Sequence, residues 1–254
     1  MRQLNSSYRD SHHKHEAGWR LMPGLYIALR EKEGRMVSDE ELLKLPEVNV
    51  FHIHQKEWRI RKKSCGHLLN YVAKKNRPLK ILEIGCGNGW LSNRLAGVPK
   101  TEVTGLDINV IELKQASKVF AHRTNLSFVP GDIRDGVLGN NRFDLIVFAA
   151  SVQYFSSFIE IISSAKKLLK VNGEIYITDS MFYNQKDIEM AKARSDAYFN
   201  AVGFPEMSAW YFHHPITALE YFNYKILYQP GDFLQKLFGN DDPFYRIVIK
   251  YGSH

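Results

Sequence analysis

The run Ile81-Leu82-Glu83-Ile84-Gly85-Cys86-Gly87-Asn88-Gly89-Trp90 constrains the fold more than any other part of the chain. It joins a short apolar strand to the first turn of a helix through a Gly-x-Gly-x-Gly turn. Glycine tolerates positive φ and carries no Cβ, so a ligand can press against the main chain there. A dinucleotide loop would place its third glycine five positions after the first, where this chain has Trp90, and a P-loop would continue with Lys-Ser/Thr, which is absent. The turn therefore favours a nucleoside ligand without phosphates.

The surrounding pattern is that of a parallel sheet covered on both faces. Short strands, rich in β-branched and aromatic residues, are expected at Lys80–Ile84, Glu102–Asp107, Leu126–Val129, Asp144–Phe148 and Glu174–Thr178. Asn109 caps an expected helix running to about His122, with Val110, Leu113, Ser117 and Phe120 on one face. Ser157 and Glu160 frame a capping box for a second helix, expected to stop at Asn172-Gly173. Two further strands, Tyr224–Tyr228 and Tyr245–Tyr251, flank a connection with two Pro and two Gly, which suggests an antiparallel pair closing the sheet. Upstream, Ser38 and Glu41 frame another capping box before Pro46, and a longer helix is expected over Lys56–Lys75.

Glu83 ends the first strand, where a carboxylate favours a cationic ligand group. The start of the next helix favours a ligand carboxylate. Asp107 ends the second strand twenty-two residues after Gly85, a spacing at which one carboxylate accepts both ribose hydroxyls.

With these motifs in order, residues 79–179 resemble the class I S-adenosylmethionine-dependent methyltransferases. The resemblance implies a Rossmann-like α/β fold: a seven-stranded, mostly parallel sheet with an antiparallel last strand, helices on both faces and an N-terminal helical cap. It implies S-adenosyl-L-methionine as cofactor, held by Glu83, Gly85, Cys86, Gly87 and Gly89 around its methionine part and by Asp107 at the ribose. It places Asp132 of Gly131-Asp132-Ile133 at the adenine amino group, with Ile108 and Ile133 as apolar walls. Phe143–Ser151 resembles the family's fourth motif, with the Ala149 carbonyl facing the methionine ammonium. The turn at Leu168–Glu174 has Val171 where the family often has proline.

Methyl transfer from a sulfonium is an in-line displacement, so positioning the acceptor dominates, and a base is needed only for a protonated nucleophile. The candidates are Ser151, Gln153 and Tyr154 after the fourth strand, Asp179, Ser180 and Tyr183 after the fifth, and His213 or His214. The last two lie in the aromatic-rich stretch 181–215, expected to be a substrate lid with Tyr198, Phe199, Phe204, Trp210, Tyr211 and Phe212. Residues 1–70 are expected to cap the site and 71–254 to form the catalytic domain. Trp58, Arg59 or Arg61 are positioned to reach the cofactor's carboxylate.

The net charge of +7 is uneven. Residues 56–80 hold nine basic residues against Glu57 alone, leaving the remainder near neutral. That segment keeps an RNA or other polyanion as an alternative acceptor, although a small molecule is favoured and nucleic acid is not. A cofactor-binding protein without catalysis is the third possibility. No apolar run approaches the length of a membrane span and no secretory h-region opens the chain, so a cytoplasmic location without a membrane partner is expected. Cys65 and Cys86 make no disulfide framework, and His12, His13 and His15 lack partners at ligand spacing, so no metal is assigned.

Overall fold

The computed structural model describes residues 22–231 and 242–252. The histidines at 12, 13 and 15 and most of the connection before the last strand lie outside these residues. The strands are β1 (Leu79–Ile84), β2 (Thr101–Asp107), β3 (Leu126–Pro130), β4 (Phe143–Ala149), β5 (Leu169–Ser180), β6 (Phe182–Tyr183), β7 (His214–Pro215), β8 (Tyr224–Tyr228) and β9 (Tyr245–Lys250). Seven of them form one sheet in the order β3-β2-β1-β4-β5-β9-β8, and β6 pairs separately with β7. Neighbours from β3 to β5 run parallel, whereas β9 is antiparallel to both β5 and β8.

The helices are α1 (Met22–Lys32), α2 (Asp39–Lys44), α3 (Gln55–Ala73), α4 (Trp90–Ala96), α5 (Val110–Val119), α6 (Phe158–Lys167) and α7 (Ile188–Val202). Successive strand residues point to opposite faces, so each central strand feeds two cores. Leu82, Ile84, Ile146, Phe148, Ile175 and Ile177 pack with Phe158, Ile161 and Ile162 of α6. Ile81, Leu145, Val147 and Tyr176 pack with Leu68 and Val72 of α3 and with residues of α2, α4 and α5. A third cluster holds no strand residue: Leu29 of α1, Phe199 of α7 and Met207, with Tyr26, Tyr154, Phe204 and Tyr211 against them.

The N-caps expected from sequence form, although of the Ser157/Glu160 box only the Ser157 half is made. Both halves of the Ser38/Glu41 box are present, and Asn109 accepts from the N–H groups of Ile111 and Glu112. Ser157 Oγ accepts from the Glu160 N–H at 3.2 Å. Two details differ from expectation. Val110 stands 48% exposed, and Ala116 joins Leu113 and Phe120 in facing the sheet. Helix α6 ends at Lys167 and β5 begins at Leu169, which pairs with Phe143. Asn172, at φ 64°, and Gly173 therefore interrupt a strand rather than end a helix. A Cβ on Gly173 would lie 2.9 Å from the Lys170 carbonyl oxygen, which explains the glycine.

Part of the basic segment is structural. Asp144 accepts from Arg77 and Lys170, both at 2.6 Å, and from the Lys80 N–H at 2.8 Å. Burial opposes its ionisation, but these donors outweigh burial and hold its carboxyl below the usual range. Lys75 pairs with Glu174, Arg61 with Glu57 and Lys62 with Glu47.

Candidate functional site

The glycine turn begins where β1 leaves the sheet. Gly85, Gly87 and Gly89 have φ of 74°, 53° and 73°. Space is restricted as well: a Cβ on Gly85 would lie 2.6 Å from Ser151 Cβ, and one on Gly89 2.5 Å from the Phe128 ring. Ser151 in turn donates to the Ile84 carbonyl at 2.7 Å, tying the carboxyl ends of β1 and β4 together. Asp107 Oδ2 accepts from the Gly87 N–H and Oδ1 from the Asn109 N–H, both at 2.7 Å. One carboxylate thus holds the turn on one side and the cap of α5 on the other. Burial raises its pKa, opposed by these backbone donors.

Above the turn lies a cavity, part of it open to solvent. Glu83, Gly85, Cys86, Gly87, Asn88, Ala149 and Ala150 form its floor, and Tyr26, Arg30, Arg35, His52, His54, Glu57, Trp58 and Arg61 its roof and rim. Two buried carboxylates face this space. Glu83 accepts from the Ser92 hydroxyl at 2.5 Å, and burial pushes its pKa up to about 8. Glu112 accepts from the Asn109 side chain at 3.2 Å and stands beside Gly87, whose Cβ would lie 3.3 Å from it. Burial pushes the Glu112 carboxyl to about 7, against the pull of Arg30. The Arg30 guanidinium lies 5.8 Å over the Tyr26 ring, and its Nε is buried without a hydrogen-bond partner. Arg35 and Arg61 are both paired with Glu57.

Of the residues expected at the cofactor, Glu83, Gly85, Cys86, Gly87 and Ala149 line the cavity. Gly89 caps α4, and Asp107 supports the turn from behind. Asp132 is engaged already: Oδ1 accepts from the Arg134 N–H and Nε–H, both at 2.8 Å, and Oδ2 from its Nη2 at 2.7 Å. Ile133 is buried in the core beside α6, and Ile108 is half-buried.

None of the catalytic candidates lines this cavity, although Tyr183 meets the His213 ring at 5.3 Å and Ser180 Oγ donates to Gln153 Oε1 at 3.5 Å. His214 sits against the Val152 carbonyl, its Nε2 2.9 Å away, and packs on the Phe158 ring. His213 lies 2.9 Å from the Ser195 hydroxyl. Burial lowers both histidine pKa values. Tyr154 is wedged edge-on between Tyr26 and Tyr211, and burial raises its pKa. Asp179 is buried at φ 53°, with Oδ1 unpartnered and its pKa raised to about 6 by burial. Between β6 and β7 the 181–215 stretch forms α7 and a 3-10 turn packed on α1, and three of its rings, Phe199, Phe204 and Tyr211, join the third core cluster. From the basic segment, Trp58 and Arg61 reach the cavity, whereas Arg59 points to solvent.

Five cavity residues carry no local sequence signal: Tyr26, Arg30, His52, His54 and Glu112. Only the alternation Val50-Phe51-His52-Ile53-His54, with polar rings inside an apolar run, hints at a segment facing two environments.

A family model described as a methyltransferase domain matches residues 75–228. The malonyl-[acyl-carrier protein] O-methyltransferase of Legionella pneumophila is 26% identical over 151 residues, covering 56% of this chain and 53% of that protein. The chain thus spans about half the length of this curated relative. Among solved structures, the YcgJ protein of Bacillus subtilis superposes with a TM-score of 0.57 at 13% identity, covering 74% of this chain and all of that one. The magnesium protoporphyrin IX methyltransferase of Synechocystis, solved with bound SAH, gives a TM-score of 0.53 at 14% identity over 84% of this chain and 91% of that one. Sheet order, glycine turn and family match agree, and the chain belongs to the methyltransferase-domain family of class I, S-adenosylmethionine-dependent type.

Proposed function

We propose that this protein transfers a methyl group from S-adenosylmethionine to an acceptor of metabolite size, free or thioester-linked, which enters beneath the N-terminal cap. The carrying observation is the cavity itself, floored by the glycine turn and roofed by side chains of α1, α3 and the segment between α2 and α3. Glu83 and Glu112 suit the cationic end of the cofactor. Arg30, with an unsatisfied donor, suits its carboxylate. Helix α4 is only seven residues long, so a full cation is the stronger anchor for that anion.

The transfer itself asks mainly for alignment, with the nucleophile about 3 Å from the methyl carbon. For an acceptor that starts protonated, the two cavity histidines differ. The His54 N–H donates to His52 Nδ1 at 3.0 Å, which leaves a neutral His52 as an Nε2–H donor. His54 Nε2 lies 2.8 Å from the Glu33 carbonyl, which sets the proton on Nε2 and leaves Nδ1 as the basic atom. His54 lines the cavity, whereas His213 and His214 do not, and it is therefore the better placed of the three to take the proton.

The reading is tested with tritiated-methyl S-adenosylmethionine and fractionated extract. Label is expected in material that dialyses, directly or after hydroxylamine cleavage of thioesters. Label in RNA, in hydroxylamine-resistant protein, or in no fraction overturns it. The Arg30 assignment is separable: Arg30→Ala is expected to weaken S-adenosylhomocysteine binding by about 10- to 100-fold, as for a lost charge-assisted hydrogen bond. By calorimetry it should leave 5′-methylthioadenosine, which lacks the amino-acid end, unchanged. Equal losses for both ligands would count against it.

A further inference from the structure

We propose that the segment Val50–Ile53 and the adjoining basic face of α3 dock this protein on an anionic lipid surface at the mouth of the cavity. Three apolar side chains stand in solvent here: Val50 is 74%, Phe51 91% and Ile53 75% exposed. Neighbouring apolar side chains left in water mark a surface that meets something else. His52 and His54, interleaved with them, line the cavity. Whatever seats on Phe51 and Ile53 therefore lies beside the acceptor's entrance.

Helix α3 starts two residues after Ile53, and Lys56, Arg59 and Lys63 follow at i, i+3 and i+7, so they share one face. All three are exposed, and none forms an ion pair among the described residues. Glu57 is engaged with Arg35 and Arg61 and Glu47 with Lys62, while Asp242, which accepts from the Phe244 N–H, is the carboxylate whose charge reaches Lys63. The result is an apolar tip beside three exposed cations that form no ion pair among the described residues.

The shape selects the partner class. These side chains protrude from a loop. A protein partner would need a groove cut to match them, whereas a bilayer admits protruding apolar groups without matching shape and attracts lysine and arginine at its headgroups. No helix among the described residues is long and apolar enough to cross a membrane, so the contact is peripheral. The sequence-based expectation of no membrane partner concerned spanning segments, and docking needs none.

The test uses the full chain in sedimentation with phosphatidylcholine vesicles, with and without phosphatidylglycerol. Binding is expected only to the anionic vesicles and should weaken with salt. The pair Phe51→Ser/Ile53→Ser should weaken it by about tenfold or more. The pair Lys56→Gln/Lys63→Gln should weaken it by about 25-fold, at roughly fivefold per cation. Both variants should keep wild-type S-adenosylhomocysteine affinity and thermal midpoint, which excludes misfolding as the cause. Absence of vesicle binding overturns the proposal, as does binding indifferent to the apolar pair. Capture of soluble polyglutamate in place of vesicles overturns it in favour of an acidic protein partner.

Discussion

Gly85→Ala is expected to lower stability by about 3 kcal/mol or more and S-adenosylhomocysteine affinity by at least about 100-fold. A non-glycine residue held at positive φ costs about 1–3 kcal/mol, and forcing an atom into a filled site costs about as much again. Both apply here, since φ is 74° and the added Cβ would lie 2.6 Å from Ser151 Cβ. Ser151 cannot give way cheaply, because it is buried and its hydroxyl is bonded to the Ile84 carbonyl. Gly136 supplies the control: its φ is 72°, but nothing lies within 4 Å of its added Cβ. Gly136→Ala should therefore cost only about 1 kcal/mol and leave ligand affinity intact. Chemical denaturation and calorimetry on the two variants distinguish crowding from backbone strain. Equal behaviour would show that the approach of Ser151 to the turn has no energetic weight.

Cofactor affinity is expected to rise with pH while the stability of the unliganded protein falls. Burial raises the folded-state pKa of Glu83 to about 8 and of Glu112 to about 7, above the 4.5 of the unfolded chain. Folding therefore favours their uncharged forms. That contribution is complete below about pH 4.5, is lost as pH rises through 7 and 8, and is constant above. A shift of about three units corresponds to about 4 kcal/mol, so the decline should be plain in thermal midpoints. A cationic ligand reverses the preference by stabilising the carboxylates. Between pH 6 and 9, S-adenosylmethionine affinity should grow by about tenfold for each unit by which binding lowers a carboxyl pKa, with proton release on binding. S-adenosylhomocysteine lacks the sulfonium charge and should gain less. Glu112→Gln should flatten the lower part of the profile. A flat profile for both ligands in the native protein would remove these carboxylates from the site.

Much of the fold was legible because its signals are local. The side chains of Ser38, Asn109 and Ser157 satisfy N–H groups two or three residues ahead of them, so a short stretch of sequence contains the whole interaction. The nearly continuous apolar run of β4 and the glycine turn are equally self-contained. Asn172-Gly173 misled for the same reason: the pair breaks regular structure wherever it stands, and only the pairing of Leu169 with Phe143 shows that a strand is what it breaks.

The upper part of the candidate site was less legible because its residues meet across long sequence separations. Arg30 and Glu112 are eighty-two positions apart, and the value of each depends on the burial the other elements create. Glu112 reads as an ordinary first-turn acid of α5 until Gly87 is seen beside it. The histidines at 213 and 214 stand out by composition, yet neither lines the cavity.

The separate packing of α1 with α7 has a consequence for how such a protein can change over evolutionary time. Leu29, Phe199 and Met207 form a core that shares no residue with the sheet. Substitutions there are paid within the cap and leave the strand packing beneath the cofactor turn unaltered, because distant, unshared sites contribute additively. The roof over the cavity can therefore drift while the floor stays constant, as though two genes with different rates of change had been written into one chain.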